Sequence, residues 1–390
     1  MKRCIALIGG GLAAQRCAEA LRRGGGEQPI VLVCAEHHRP YSRPPLSKEL
    51  LLAGERAEDA AYFKLPAWYH DHEIELRPGV RATGLDLRER AVLLSDGRRI
   101  RADQVLIATG AQPRTLPQLA GRTNVSSLYT IADAHALRRA IIGGGALAII
   151  GAGFIGQEVA AAARSLGAEV TIVDFAAAPM ASLLGERLGS WFADFHRGHG
   201  VRLLLGRTIA AAIGDRAIRA LELSDGTVIR CDHVLVAIGV RASIDWLQGT
   251  GLPGLGALAG AIPTDDRGAT SIPGVFAAGD AAAPFDALLG RHVPCAHWEA
   301  AGRLGAGAGR AMLGLQSGAA PASSFWSDQY GTRFQYIGHA PLADSLEIDG
   351  DLDAPSFAAI FRRAGTPVAA LLAGRPQQLP AMRRLIASGV

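Results

Sequence analysis

Two stretches of this sequence repeat one pattern at an interval the length of a domain. Ile5-Ala6-Leu7-Ile8 runs into Gly9-Gly10-Gly11-Leu12-Ala13-Ala14, and much later Leu147-Ala148-Ile149-Ile150 runs into Gly151-Ala152-Gly153-Phe154-Ile155-Gly156. A short, wholly apolar run ahead of clustered glycines reads as a parallel strand buried on both faces, a tight turn and a helix start. The spacing is far too long for a solenoid repeat. The echo continues downstream. Ile30-Val31-Leu32-Val33-Cys34-Ala35 precedes Glu36, as Val170-Thr171-Ile172-Val173 precedes Asp174. Val105-Leu106-Ile107-Ala108-Thr109-Gly110 then matches Val234-Leu235-Val236-Ala237-Ile238-Gly239. Two dinucleotide-binding folds in one chain are predicted.

Each motif has a chemical meaning. In Gly9-x-Gly11-x-x-Ala14 the first glycine makes the turn and the second lets a pyrophosphate approach the backbone. The small third residue lets helix and strand pack closely, and the helix N-terminus faces the phosphates with its partial positive charge. Glu36 is placed to accept from an adenosine ribose hydroxyl. The second motif carries all three glycines, Gly151, Gly153 and Gly156, followed by Glu158. Asp174 is its ribose acid. An acid there repels a 2′-phosphate, and Phe175-Ala176-Ala177-Ala178-Pro179 holds no arginine to receive one, so NADH is expected over NADPH. Two nucleotide sites point to a flavin, FAD, beside a nicotinamide, so that a hydride passes directly between bound cofactors.

Composition narrows the remaining classes. At 390 residues the chain suits two or three domains, and 49% hydrophobic with 19% charged residues describes a packed protein. No apolar run is long enough to span a bilayer, and Gly9-Gly10-Gly11 interrupts the first one too early for a secretory signal, so no membrane and a cytoplasmic location are expected. The net charge of +4, without a compact Lys/Arg block interleaved with aromatics, argues against nucleic acid. Cys4, Cys17, Cys34, Cys231 and Cys295 are too far apart for a C-x-x-C redox pair or zinc-finger spacing. They read as buried thiols, and no metal is expected.

Beyond the second fold the pattern changes. Val275-Phe276-Ala277-Ala278-Gly279-Asp280 is one more strand and turn, and Ala300 to Leu315 reads as a small-residue helix. From Phe325 onward, the runs Arg333 to Ile337, Ser356 to Phe361 and Val368 to Leu372 predict antiparallel strands, and Pro380 to Ala387 a closing helix. The expected class is α/β: two Rossmann-like domains of the glutathione reductase type plus a small α+β C-terminal domain. The expected boundaries are 1–112 with 241–318 for FAD, 113–240 for NAD and 319–390 for the tail.

Several segments together resemble a family, the ferredoxin reductases that serve Rieske-type oxygenases and cytochrome monooxygenases, including the putidaredoxin and rubredoxin reductases. Arg39-Pro40-Tyr41-Ser42-Arg43-Pro44-Pro45-Leu46-Ser47-Lys48 is similar to its flavin loop, and Ala108-Thr109-Gly110-Ala111-Gln112-Pro113-Arg114 to its domain-crossing turn. Phe276-Ala277-Ala278-Gly279-Asp280 resembles its flavin aspartate strand. Phe325-Trp326-Ser327-Asp328-Gln329-Tyr330, Gly374-Arg375-Pro376 and Arg383-Arg384-Leu385-Ile386 resemble its C-terminal domain, which broader flavin disulfide reductases lack.

The resemblance implies a function, NADH:ferredoxin oxidoreductase, passing a hydride from NADH to FAD and then single electrons to a small iron–sulfur ferredoxin. That partner is of the Rieske or the plant/vertebrate two-iron two-sulfur type, feeds an oxygenase of aromatic hydrocarbon catabolism, and meets a monomer or weak homodimer. Lys48, Glu158 and Trp298 would be catalytic: Lys48 beside the hydride-accepting edge, Glu158 near Lys48 and the nicotinamide, Trp298 over the flavin. FAD would be held by Gly9, Gly11, Leu12, Ala13, Ala14, Glu36, Arg43, Lys48, Ala82, Ala108, Thr109, Gly110, Arg114, Gly279, Asp280 and Trp298. NADH would be held by Gly151, Gly153, Phe154, Ile155, Gly156, Glu158, Asp174, Ile238 and Gly239. Trp326 would lie near the same cleft. Tyr129 and Ala296 stand where the family usually has an arginine and a glutamate, and His297 is a further difference. Flavin peroxidases and coenzyme A disulfide reductases keep a redox cysteine where this chain has Pro44-Pro45-Leu46. A rubredoxin reductase, or an NADH-binding regulatory flavoprotein of the apoptosis-inducing-factor type, is the next candidate.

Overall fold

Each glycine motif follows the central strand of a five-stranded parallel sheet. The protein is described by a computed structural model covering residues 4–255, 260–287, 289–295, 297–316 and 322–387. The first sheet runs Val275–Ala277, Gln104–Ile107, Ile5–Ile8, Ile30–Cys34, Ile74–Pro78. The second runs Arg202–Leu205, Glu169–Asp174, Ala146–Ile150, His233–Val236, Val125–Ser126. Every pairing in both is parallel. Ile5–Ile8 is buried at every position, as a strand between two layers must be. In each sheet the chain switches sides at the central strand, and ligands of such folds bind at the carboxyl ends beside that switch.

The duplication extends to elements with little signal in the sequence. Ala82–Asp86, Ala91–Leu94 and Arg99–Arg101 form a three-stranded antiparallel meander in the first copy. Ile209–Ile213, Ala220–Leu223 and Val228–Arg230 form its counterpart in the second.

The chain gathers into two compact units. The first holds Met1–Ser42, Ala60–Gln112 and Arg241–Pro321; the second holds Arg43–Asp59, Pro113–Val240 and Ala322–Val390. In the first, helix Trp298–Met312 lies on helix Leu12–Arg23 through glycines. A Cβ on Gly305 would run into the Ala13 carbonyl oxygen, and one on Gly309 would lie 2.7 Å from the Cys17 oxygen. No side chain fits there, which is why this helix is built of Gly and Ala.

In the second unit the tail folds as an antiparallel sheet in the order Ser324–Gln329, Thr332–Gly338, Thr366–Ala373, Ser356–Arg363, Ser345–Asp351. The helix Leu379–Ala387 closes it. Phe334, Tyr336, Phe357 and Phe361 of this sheet pack with Leu184, Leu188 and Phe192 of helix Ala181–Gly198. The fold is therefore α/β with two Rossmann-like cores and a small C-terminal antiparallel sheet, as expected. Among the described residues no helix is long and apolar enough to cross a membrane.

Candidate active site

The first glycine turn meets the structural demands of a dinucleotide. Gly9 has φ +132°, and a Cβ on it would run into the Ala108 carbonyl oxygen. Glycine is required there twice over, by backbone conformation and by space. A Cβ on Gly11, by contrast, would meet nothing within 4 Å. Helix Leu12–Arg23 begins after Gly11 with no side-chain cap and no acid in its first turn. Its leading N–H groups are therefore donors that a phosphate can satisfy. Leu12, Ala13 and Ala14 are buried behind that turn.

The other flavin candidates in this unit gather round the same sheet end. Gly279, φ +70°, follows Val275–Ala277, and a Cβ on it would come within 3.3 Å of the Ala13 Cβ, so Asp280 is delivered beside the helix start. Glu36 follows Ile30–Cys34 and accepts a 2.6 Å hydrogen bond from the Tyr41 hydroxyl. Thr109 donates to the Ser243 carbonyl at 2.7 Å, and Ser243 N–H donates to the carbonyl of Gly110 at 2.9 Å, pinning the crossing turn. Ala82 is buried at the start of the meander, and half-buried Trp298 opens helix Trp298–Met312. Ala296 lies outside the described residues.

The second glycine turn repeats the geometry. Gly151 has φ +111°, and a Cβ on it would run into the Ala237 carbonyl oxygen. A Cβ on Gly153 would meet nothing within 4 Å, and one on Gly156 would strike the Gly151 oxygen. Asp174 Oδ2 accepts from the Ala152 N–H at 2.6 Å and Oδ1 from the Ala176 N–H at 2.8 Å. Each carboxylate oxygen keeps a second lone pair for a ribose hydroxyl. Arg207, bonded to this strand end, gives its backbone N–H to the Asp174 carbonyl while its guanidinium is held by Asp225. Ile155 and Gly239 are exposed at the turn and Ile238 is half-buried, while Phe154 packs edge-on against Phe325. Arg114, exposed, donates from its backbone to Gly239 and from Nε to Val240.

Glu158 lies one turn into helix Phe154–Ser165, which follows the second glycine turn, and its carboxylate has partners on both oxygens. Lys48 Nζ lies 2.7 Å from its Oε2, with the two side chains 12% and 6% exposed. Ser47 Oγ donates to the same oxygen at 2.5 Å. Ser327 Oγ donates to Oε1 at 2.7 Å, joined by the Asp328 N–H at 3.3 Å. Two seryl hydroxyls, one amide and one ammonium thus fix a buried carboxylate, as burial of a charge demands. Sequence reasoning pairs Lys48 with Glu158 through a resemblance but misses Ser47 and Ser327. One signal is there: Ser327 alternates with less buried Trp326 and Asp328 along a strand whose buried positions include Ser327 and Gln329. Arg43 lays its guanidinium 3.9 Å above the Tyr129 ring and donates to the Tyr129 carbonyl. The departure at Tyr129 therefore partners the arginine of the proline-rich loop.

The cysteines form no disulfide. All five are free, and four are buried. Burial pushes the Cys34 and Cys295 thiols up to about 12 and Cys231 to about 11, so none of these is a thiolate at neutral pH.

Two glycine turns of the dinucleotide-binding kind and a buried Lys–Glu pair thus occur in a chain whose five cysteines form no disulfide. Comparison with known proteins gives the family. Residues 3–303 match the pyridine nucleotide-disulphide oxidoreductases and residues 324–390 the reductase C-terminal domain. This chain belongs to that family. It is 36% identical to the anthranilate 1,2-dioxygenase system ferredoxin–NAD(+) reductase component of Burkholderia cepacia, over 98% of this chain and 94% of the relative. It is 35% identical to the biphenyl dioxygenase system ferredoxin–NAD(+) reductase component of Paraburkholderia xenovorans (strain LB400), over 89% and 84%. Its fold is similar to that in the crystal structure of the covalent putidaredoxin reductase–putidaredoxin complex, with TM-score 0.94 and 28% identity, covering 100% of this chain and 94% of that one.

Proposed function

We propose that this chain is an NADH:ferredoxin oxidoreductase that supplies single electrons to a two-iron two-sulfur ferredoxin serving an aromatic-ring oxygenase. The reading is carried by the Lys48–Glu158 pair in a chain whose cysteines are all free. The named relatives, ferredoxin reductase components of dioxygenase systems, support it over most of their length. FAD supplies, when bound, an acceptor that takes a hydride as an electron pair and releases the electrons singly, as an iron–sulfur partner requires.

The residues divide the work. Gly9, Gly11 and the uncapped start of helix Leu12–Arg23 receive the FAD pyrophosphate, Glu36 its adenosine ribose, and Asp280 its ribityl chain. Gly151, Gly153 and Gly156 receive the phosphates of NADH. Asp174 accepts from its adenosine ribose and repels the extra phosphate of NADPH, while the nearby Arg207 guanidinium is paired with Asp225. Lys48 offers a desolvated positive charge where negative charge develops, and Glu158 holds that ammonium in place. Trp298 covers the flavin. The partner is a ferredoxin of the Rieske or the plant/vertebrate type.

Anaerobic titration of the purified protein with NADH and, separately, NADPH tests this reading through the visible flavin spectrum. Fast bleaching by NADH and poor bleaching by NADPH is the expected result. A bound flavin that neither coenzyme reduces would overturn it.

A further inference from the structure

The hydrogen bonds behind Glu158 continue past Ser327. Gln329 Nε2 donates to Ser327 Oγ at 3.1 Å. His196 Nε2 lies 3.0 Å from Oε1 of both Gln329 and Gln157, and its Nδ1 lies 2.9 Å from the Tyr330 hydroxyl. Gln157 Nε2 in turn donates to the Ala152 carbonyl at 2.8 Å, inside the second glycine turn. Gln157, His196 and Ser327 are fully buried and Gln329 nearly so.

The partners along these bonds set which groups donate. The Ala152 atom that Gln157 meets is the carbonyl oxygen, so Gln157 must turn its nitrogen there and its oxygen to His196. The Gln329 nitrogen is likewise committed to Ser327, leaving its oxygen for the same ring. His196 must therefore carry a proton on Nε2, and as a neutral ring it accepts from the Tyr330 hydroxyl on Nδ1. Because Ser327 Oγ accepts from Gln329, its own proton is left for Glu158 Oε1. Burial favours the neutral ring this requires. One imidazole thus fixes both the Glu158 carboxylate and the turn that receives the nicotinamide nucleotide's phosphates.

We propose that His196 is a positioning residue for hydride transfer, orienting Glu158 through Gln329 and Ser327 and the Gly151–Gly153 turn through Gln157. It rests on the roles given above to Glu158 and to that turn. Packing alone does not require a histidine there, since a buried aliphatic side chain would fill the space without three polar neighbours to satisfy. The two arms end on different parts of the site, so they separate kinetically. Cutting the Glu158 arm acts on the chemical step, and cutting the Gln157 arm acts on coenzyme binding.

The test uses the FAD-loaded full chain with Gln329→Leu, Ser327→Ala, Gln157→Leu, His196→Phe and the double variant H196F/S327A. Anaerobic stopped-flow gives the limiting rate of flavin reduction by NADH, and calorimetry gives the NAD+ affinity. Ser327→Ala and Gln329→Leu are expected to slow the limiting rate about tenfold, with a smaller effect on NAD+ affinity. Gln157→Leu is expected to weaken NAD+ about tenfold, with a smaller effect on the rate. His196→Phe does both, and adding Ser327→Ala slows reduction no further. Nitrogen-15 NMR of labelled histidines gives a readout apart from activity: a neutral Nε2–H ring for His196 at pH 7 is expected, and an Nδ1–H or charged ring overturns the proposal. Equal effects of both arms on rate and affinity, or additivity of H196F with S327A, would also overturn it and leave a merely structural histidine. Should His196→Phe fail to fold, the contrast between Gln329→Leu and Gln157→Leu decides. A wild-type protein that NADH does not reduce would sink the parent reading instead, and this one with it.

Discussion

Lys48 and Glu158 meet at 2.7 Å although 110 residues separate them in the chain. Both side chains are nearly buried, so each needs the other. Glu158→Gln keeps the shape and removes the charge that holds the ammonium. It is expected to lower the limiting rate of flavin reduction by NADH at least about tenfold, as loss of a preorganised electrostatic contact does. Lys48→Met should act in the same direction, and anaerobic stopped-flow compares the two with wild type.

Gly11 tests the first nucleotide turn without the steric ambiguity of Gly9. A Cβ at Gly11 meets no protein atom within 4 Å, so Gly11→Ala is expected to fold normally. The added methyl would stand where the pyrophosphate approaches. The expected result is an unchanged melting profile of flavin-free protein with a flavin content well below wild type, read from the ratio of visible to ultraviolet absorbance.

Asp174 sets the coenzyme preference. Asp174→Ala removes the acid that repels a 2′-phosphate and two backbone hydrogen bonds that brace the turn. NADH is expected to lose affinity by about 1–3 kcal/mol, while NADPH loses less, so the ratio of their kcat/KM values narrows. Steady-state kinetics with both coenzymes reads this directly.

His196 makes stability depend on pH. Burial lowers its pKa from 6.5 to about 4, with Tyr330 against its ring and His199 the neighbouring titratable group. The unfolded chain takes up the proton first as pH falls below 6.5, so the contribution is complete above 6.5 and lost down to about 4. The loss is about 3 kcal/mol for this group. Urea midpoints measured across that window should fall steeply in wild type and less steeply in His196→Gln.

Much of this molecule is legible in its sequence because the features that position nucleotides are local. A four-residue apolar strand, a glycine that must adopt positive φ and an acid at the next strand end all sit close together in the chain, and the structure keeps them as read. The meanders at Ala82–Arg101 and Ile209–Arg230 are less visible, since their strands are only three to five residues long and most lack a regular alternation of buried and exposed positions. Strand Ser345–Asp351 escapes sequence reasoning because it is a polar edge strand with only Leu346 and Ile348 apolar. Of the support of Glu158, only the Lys48 pairing could be read, and that through the resemblance. Ser47, the Ser327–Gln329 pair and His196 lie far apart in the chain on different elements, and ordinary serines and glutamines carry little spacing signal until the fold brings them together.

The central claim is that electrons from NADH leave this protein one at a time to a ferredoxin. The most direct measurement mixes the FAD-loaded protein with NADH and an excess of a two-iron two-sulfur ferredoxin under anaerobic conditions, and follows the ferredoxin's visible absorbance. The account expects two ferredoxins reduced for each NADH consumed, dependent on the protein and lost in Glu158→Gln. Oxidation of NADH with every ferredoxin tried left oxidised would contradict it.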